Sequence, residues 1–321
     1  MKSPAVGCLE EIKTFLAVVT YHGQTTLEVC PLNSLAPKYI RIRVHAIGLC
    51  RTDLRVISGE IKASRPLIPG HEFSGTVESV GVEVVHLKPG DRVVVNPWVN
   101  CRECEFCDNS RFEICQSASM LGVHFDGALA ECVAVPEHVV YKIPEGLSFE
   151  VAAFAEPVAA SLAVLNAPII SSERGLILGE NRIAELTRRI LEAHGFGDVT
   201  TCSSQNCDHL RMHSFDFVIE TESTTEILRR MIQLVRPRGK LVLKSRQLYP
   251  TSFAMMDILP KEPQMYVVNY GSFTAAVEML AARKVCVNDL IGQKFALEGF
   301  QDAIEAAKSD EAQKVFVVPK C

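Results

Sequence analysis

The sequence predicts a chain in two parts: a β-rich, mostly antiparallel barrel or sandwich, then an α/β region with a parallel sheet, closed by a short return segment. Three observations carry this. Short β-type runs separated by turn residues fill Phe15 to Leu147, strand-like and helix-like runs alternate from about Ser161 to Asn269, and two helical patterns and an apolar run follow Asn269. The chain has 321 residues, 48% apolar and 22% charged, enough to bury the cores of two domains.

In the first part the runs are FLAVVTY (15–21), YIRIRVHAIG (39–48), SGTVESVG (74–81), RVVVN (92–96) after the turn Pro89-Gly90-Asp91, and ALAECVAVP (128–136). Arg41, Arg43 and His45 alternate with Ile40, Ile42 and Val44, the period of a half-buried strand. In the second part, Gly175 to Leu178 reads as a strand, and Ile183, Leu186 and Ile190 line one face of a helix ending at His194-Gly195. Asp198–Ser203 and Phe215–Ile219 read as further strands. A helix over Thr224–Val235 leads through Pro237-Arg238-Gly239 to a strand at Leu241–Leu243. The return segment shows helices with Phe273, Ala276, Val277 and Leu280 on one face and near Phe300 to Ala307, then a strand at Val315–Val318.

With 33 basic against 38 acidic residues the chain carries −5, which argues against nucleic acid or an anionic membrane as partner and for a small molecule. The amino terminus, apolar only from Pro4 to Leu9 and followed by Glu10-Glu11, lacks the pattern of a secretory leader. Val151 to Ile170 imitates a membrane span, but Glu156, Pro157, Asn166 and Pro168 interrupt it, so a buried segment of a cytoplasmic protein is expected.

Four of the twelve cysteines, Cys101, Cys104, Cys107 and Cys115, fall within fifteen residues. Their spacing suits four thiolates around one structural Zn2+, pinning a polar lobe at about 97–117; a chance cluster or two disulfides are the alternatives. A second group is dispersed: Cys50-Arg51-Thr52-Asp53, Gly70-His71-Glu72 and Ala155-Glu156-Pro157. A Cys, a His and one or two carboxylates can hold a catalytic zinc with one position open, although a lone Cys and His are more often incidental. Glu156 strengthens the case, since a carboxylate inside an apolar run needs a cation or a proton.

The stretches GLCRTD (48–53), PLIPGHEFSGTVESVG (66–81), PGDRVVV (89–95) and AEPVAAS (155–161), with the four-cysteine lobe, resemble the zinc-containing medium-chain dehydrogenases/reductases, closest to sorbitol and threonine dehydrogenase-like members. The resemblance covers nearly the whole chain. It implies a GroES-like catalytic domain over 1–157 and 270–321, a Rossmann domain inserted at 158–269, and hydride transfer between an alcohol or polyol and NAD or NADP. It further implies a second zinc, held by Cys50, His71 and Glu156 with Glu72 as an alternative ligand. Asp53 would orient a ligand, Thr52 would bind the substrate hydroxyl and pass its proton outward, and Arg51 would meet the cofactor pyrophosphate. Gly179, Glu180, Asn181, Arg182, Ile183, Ser203, Ser204 and Thr221 would form the rest of the cofactor site. Members are commonly homodimers or homotetramers.

The chain departs from this pattern in four places. The dinucleotide fingerprint G-x-G-x-x-G is Gly179-Glu180-Asn181-Arg182-Ile183-Ala184, with Asn181 where a glycine lets the backbone approach the pyrophosphate. Asn tolerates left-handed dihedrals, so the turn is expected to survive, with Arg182 and the helix N-terminus offsetting the charge of Glu180. The second strand ends in Cys202-Ser203-Ser204 without the ribose-binding carboxylate, leaving NAD and NADP open. Only Ser204 to Ser214 lie before the next strand, so the Rossmann domain is expected to be shortened by one unit. Arg55 stands where liver-type alcohol dehydrogenases end a proton relay in His. Two readings follow: an active dehydrogenase, or a zinc-stabilised binding or scaffold protein that has lost its cofactor. Trp98, Phe125 and the loop from Ile57 to Ile61 are candidates for the substrate pocket.

Overall fold

The computed structural model describes residues 13–109, 112–203, 205–309 and 312–320, apart from the side chain of Glu113. A hairpin of β1 (Thr14–Tyr21) and β2 (Gln24–Pro31) packs on a seven-stranded sheet. That sheet contains β3 (Tyr39–Gly48), β4 (Glu72–Val80), β5 (Arg92–Val95), β8 (Cys132–Pro136) and β9 (Val140–Lys142) with β15 (Ile291–Ala296) and β16 (Lys314–Val318). Its order is β15-β16-β3-β4-β5-β9, with β8 also paired to β3, and only the β15–β16 pair is parallel. In β3, Ile40, Ile42 and Val44 are buried while Arg41, Arg43 and His45 are not, as the alternation demands. A short pair, β6 (Trp98–Val99) and β7 (Ser119–Met120), brackets the cysteine lobe and its helix α2 (Glu105–Asp108).

The second sheet is parallel throughout, in the order β11-β10-β12-β13-β14: β10 (Gly175–Leu178), β11 (Val199–Cys202), β12 (Phe215–Glu220), β13 (Val235–Leu243) and β14 (Gln264–Val267). Helices cover both faces. Leu228, Met231 and Ile232 of α6 (Thr225–Leu234) pack on Leu176, Val218 and Leu241, while Ala184 and Leu191 of α5 (Arg182–Ala193) pack on Ile177, Phe217 and Val242. Among the described residues no helix lies between β11 and β12, so one helical crossover is missing. The short helix α7 (Met255–Ile258) precedes β14. Between them the buried Lys261 donates to the carbonyls of Gln233 (2.9 Å) and Val235 (3.0 Å), satisfying acceptors that the end of α6 leaves open.

Helices α3 (Phe149–Ala153) and α4 (Ala155–Leu162) form the apolar stretch that imitates a membrane span; the segment Phe149–Asn166 is 72% buried inside the fold. They pack with α5, with α8 (Phe273–Ala281) and with Phe316 of β16, so one apolar cluster joins the two sheets. Helix α9 (Phe300–Ser309) covers β15 and β16.

Candidate metal centre and cofactor cleft

The Sγ atoms of Cys101, Cys104, Cys107 and Cys115 all lie within 4.8 Å of one another. Individual separations are 3.5 Å (Cys101–Cys115), 3.9 Å (Cys104–Cys115) and 4.0 Å (Cys101–Cys107). A disulfide needs ~2.05 Å, whereas a tetrahedron with Zn–S bonds of ~2.3 Å has edges of ~3.8 Å. The lobe therefore fits a four-thiolate zinc and not two disulfides. Backbone N–H groups at Cys107 and Gln116 hold the Cys104 thiol down to about 6, favouring the thiolate a metal requires.

The second donor set is assembled by helix α1 (Arg51–Ile57) and the start of β4. Cys50 is the N-cap of α1, His71 directly precedes β4, and their donor atoms lie with one of Glu72 inside 4.8 Å. Asp53, fully buried, fixes the arrangement. One of its oxygens accepts from His71 Nδ1 (2.7 Å) and the Gly70 N–H (3.0 Å), and the other accepts from the Cys50 N–H (2.9 Å). Gly70 has φ of +100°, and a Cβ there would stand 2.7 Å from the Leu129 nitrogen, so only glycine permits this approach. With Nδ1 committed to Asp53, Nε2 is buried beside the Cys50 thiol and, among the described residues, makes no geometric hydrogen bond, the state expected of a nitrogen kept for a metal. Burial disfavours the imidazolium, but Asp53 and Cys50 outweigh it and raise the ring well above its ordinary value.

Glu72 is shared. Besides approaching Cys50 and His71, it pairs with the buried Lys314 at the head of β16, which holds its carboxyl below the usual range against the cost of burial. Glu156 on α4 is not in the set of three donors, yet it lines the same cleft with Oε1 buried and unpartnered; burial and the nearby Glu72 push its carboxyl up. These donors fit a cation.

A cleft of about 490 Å3 joins this centre to the carboxyl ends of the parallel strands. Cys50, Arg51, Thr52, Arg55, Glu72 and Glu156 line one side; Asn181, Arg182, Ile183 and Thr221 line the other. In an open parallel sheet ligands bind outside the carboxyl ends of the strands, where strand order reverses; here that point lies between β10 and β12. Gly179 has φ of +141°, and a Cβ there would lie 2.0 Å from Thr221 Oγ1, so the first fingerprint glycine is obligatory. Asn181 corrects one expectation, because its φ of −95° and ψ of 171° are extended rather than left-handed. It caps α5, accepting from the Ala184 N–H (3.0 Å), and its amide donates to Thr221 Oγ1 (3.0 Å) and Glu222 Oε1 (2.8 Å). Gly179, Glu180 and Ser203 stand outside the cleft lining, and Ser204 lies outside the described residues.

The substrate-pocket candidates fare differently. Trp98 and Phe125 pack against the apolar clusters and do not line the cleft, while Ser58, Gly59 and Ile61 line a separate recess of about 160 Å3. Residues that sequence reasoning passed over are Lys314 and, after β13, Lys244 and Arg246. Their signal was available: Lys314 opens an apolar strand, and two cations follow the buried run Leu241–Leu243.

Residues 36–145 match the family of the alcohol dehydrogenase GroES-like domain. Sorbitol dehydrogenase of Homo sapiens is 27% identical over 340 residues, with 95% of each chain covered, and that of Ovis aries is 27% identical over 339 residues with the same coverage. Among solved structures, 2R,3R-butanediol dehydrogenase from Bacillus subtilis superposes with a TM-score of 0.83 at 22% identity, covering 95% of this chain and 100% of that one. An alcohol dehydrogenase from Escherichia coli CFT073 complexed with NADH gives 0.86 at 20% identity, with 95% and 99% covered. At such identities the structural likeness speaks for the fold.

Proposed function

From its membership of the zinc-containing medium-chain dehydrogenase/reductase superfamily we infer that this chain is an NAD(P)-dependent oxidoreductase interconverting an alcohol or polyol and its carbonyl compound. The observation that carries the reading is His71 Nε2, buried without a partner beside Cys50 and Glu72 while Asp53 holds Nδ1. A scaffold would have no use for a nitrogen desolvated and left open beside two further donors that line a cleft.

We assign Cys50, His71 and Glu156 to the catalytic zinc, with Glu72 as alternative ligand, and Cys101, Cys104, Cys107 and Cys115 to the structural zinc. When bound, the first zinc supplies Lewis-acid polarisation of the reacting oxygen. Thr52 binds the substrate hydroxyl and carries its proton toward solvent. Arg51, Arg182 and the amino end of α5 receive the pyrophosphate, with Gly179 and Thr221 shaping the turn beneath it. Glu180, Asn181, Ile183, Ser203 and Ser204 complete the dinucleotide site. Neither serine carries a charge that would reject or grip a 2′-phosphate, so the cofactor is NAD or NADP with only a modest preference between them. Hydride transfer belongs to the nicotinamide. We assign residues 1–157 and 270–321 to the catalytic domain and 158–269 to the nucleotide domain, in a cytoplasmic homodimer or homotetramer.

The test is calorimetric titration of zinc-loaded protein with NADH and NADPH, together with nicotinamide absorbance on a panel of polyols. Two zinc ions per chain, nucleotide binding and polyol-dependent reduction of the nicotinamide are expected. No binding of either nucleotide at millimolar concentration would leave the binding-protein reading in its place.

A further inference from the structure

We propose that Lys244, seconded by Arg246, is an anion subsite of the cleft, and that the favoured substrate carries a phosphate monoester or carboxylate on the chain bearing the reacting hydroxyl. This rests on the dehydrogenase reading for the reaction, but the subsite itself stands on its own observations. Lys244 follows β13 directly, is 5% exposed and lines the same cleft as Thr52 and Cys50. Among the described residues its Nζ has neither a hydrogen bond nor an ion pair, unlike the buried Lys314, which is paired to Glu72, and the buried Lys261, which caps α6. A buried ammonium without a counter-ion is expensive, and a fold that retains one at the wall of a cleft leaves its counter-charge to a ligand.

The surrounding charges bear this out. Burial and the Arg246 cation hold Lys244 down to about 8 against the pull of Glu156, Glu220 and Cys50. Two carboxylates lie near enough to be felt, Glu156 and Glu220, but neither forms an ion pair with Nζ. Glu220 Oε1 is occupied by the backbone N–H groups of Lys244 (2.8 Å) and Ser245 (3.0 Å), and its Oε2 is buried without a partner. Glu220 is thus spent on backbone amides and Glu156 is assigned to the zinc, so neither is committed to Nζ as a counter-ion. Arg246 is exposed at the cleft, its guanidinium 5.7 Å from the Tyr270 ring centre, and its carbonyl accepts from Arg55 (3.1 Å). Arg55 itself faces Glu60 at 3.6 Å, whereas Arg246 donates to the Asn269 carbonyl (3.5 Å) and, among the described residues, has no carboxylate in an ion pair. Cys50, Thr52 and Lys244 line one cleft, so a ligand whose hydroxyl meets the mixed site can reach Lys244 with an anionic group elsewhere on its chain.

The experiment uses zinc-loaded full-length protein and three probes of equal chain length: D-sorbitol, D-sorbitol 6-phosphate and D-gluconate. Binding is measured by calorimetry with and without saturating NADH, and turnover by nicotinamide absorbance. At least one anion should bind better than sorbitol in the presence of NADH. Lys244→Met, which removes the charge and keeps the volume, should cut the anion-to-sorbitol ratio by roughly 30-fold or more, as loss of one member of a buried charge pair does. Arg246→Gln should cut it by a smaller factor. Anion binding without turnover of any probe would overturn the dehydrogenase reading and uphold the subsite. Sorbitol turnover without preference for either anion would uphold that reading and overturn the subsite. Anion binding abolished by NADH would place Lys244 in the dinucleotide phosphate site and also overturn it, as would an equal loss on all probes in Lys244→Met.

Discussion

The two sides of the cleft carry their chemistry in different ways. On the side of the seven-stranded sheet, Cys50, His71 and Glu72 are gathered and held: Asp53 satisfies a ring nitrogen and two backbone amides at once. On the side of the parallel sheet the strand order is that of a nucleotide-binding fold, but the lining departs from the glycine fingerprint. An asparagine replaces the central fingerprint glycine, and a lysine and an arginine follow β13. Metal chemistry tolerates little change, because a ligand set must meet distance and geometry together. Dinucleotide and substrate recognition rest on backbone amides and dispersed contacts, which admit substitution one residue at a time.

The largest expected effects separate the two metal positions. Cys104→Ser leaves a polar lobe with three thiolates and little apolar core, and because structural zinc binding supplies on the order of 10 kcal/mol, the variant should unfold or aggregate. His71→Ala should stay folded, drop from two zinc ions per chain to one and lose turnover. A His71→Ala protein that keeps both ions would remove the mixed site from this account. Elemental analysis and circular dichroism on both variants decide the matter.

Next is the stability effect of the buried cation. The Lys244 ammonium titrates at about 8 in the fold against ~10.4 in an unfolded chain. Between these values the unfolded state binds more protons, so stability rises with pH through that window, and at pH 7 the fold bears a penalty of about 3 kcal/mol. Lys244→Met should raise stability by roughly 2–3 kcal/mol at pH 7, and the gain should vanish above about pH 10.5. Denaturant melts at both pH values measure it; an equal gain at both would mean that packing, not charge, is responsible.

Asp53→Asn should be gentler. The amide can still accept from a backbone N–H but no longer carries the charge that orients His71, and loss of such a partner typically weakens metal affinity 10- to 100-fold. Competition with a chelator reads this directly, with the four-cysteine zinc of the same molecule as internal reference.

Legibility followed the same divide. The cysteine lobe could be read because its four ligands are local, and the β-rich half because alternation in β3 reports one buried face. The Cys50, His71 and carboxylate group stood out by residue type, but its assembly was expected on the strength of the resemblance, since nothing in the spacing of Cys50 and His71 says that α1 and β4 meet. Lys314 gave a signal by opening an apolar strand, but its partner could not be named: Glu72 is 242 residues away, and the pairing exists only because β16 returns to the first sheet. Asn181 was identified as the anomaly, but its conformation was misjudged. A side-chain cap lets an extended residue do locally what a left-handed one was expected to do.

That cap makes Asn181→Gly the subtlest prediction. The side chain occupies the Ala184 N–H, one of the few amides at the amino end of α5 that could meet a phosphate, and its amide ties the turn to Thr221 and Glu222. Replacing Asn by Gly at an N-cap typically costs only a few tenths of a kcal/mol. The lost bonds to Thr221 and Glu222 bring the total to about 1 kcal/mol of stability. In return, Ala184 N–H is released to the pyrophosphate and the backbone can come closer to it, so NADH should bind about 3- to 10-fold tighter, worth ~1 kcal/mol by the ordinary relation between affinity and free energy. Calorimetry with NADH on the two proteins tests the sign. Weaker binding by Asn181→Gly would mean that the Asn181–Thr221–Glu222 network shapes the cofactor turn rather than obstructing it, and this side of the cleft would then be rebuilt for the dinucleotide rather than eroded.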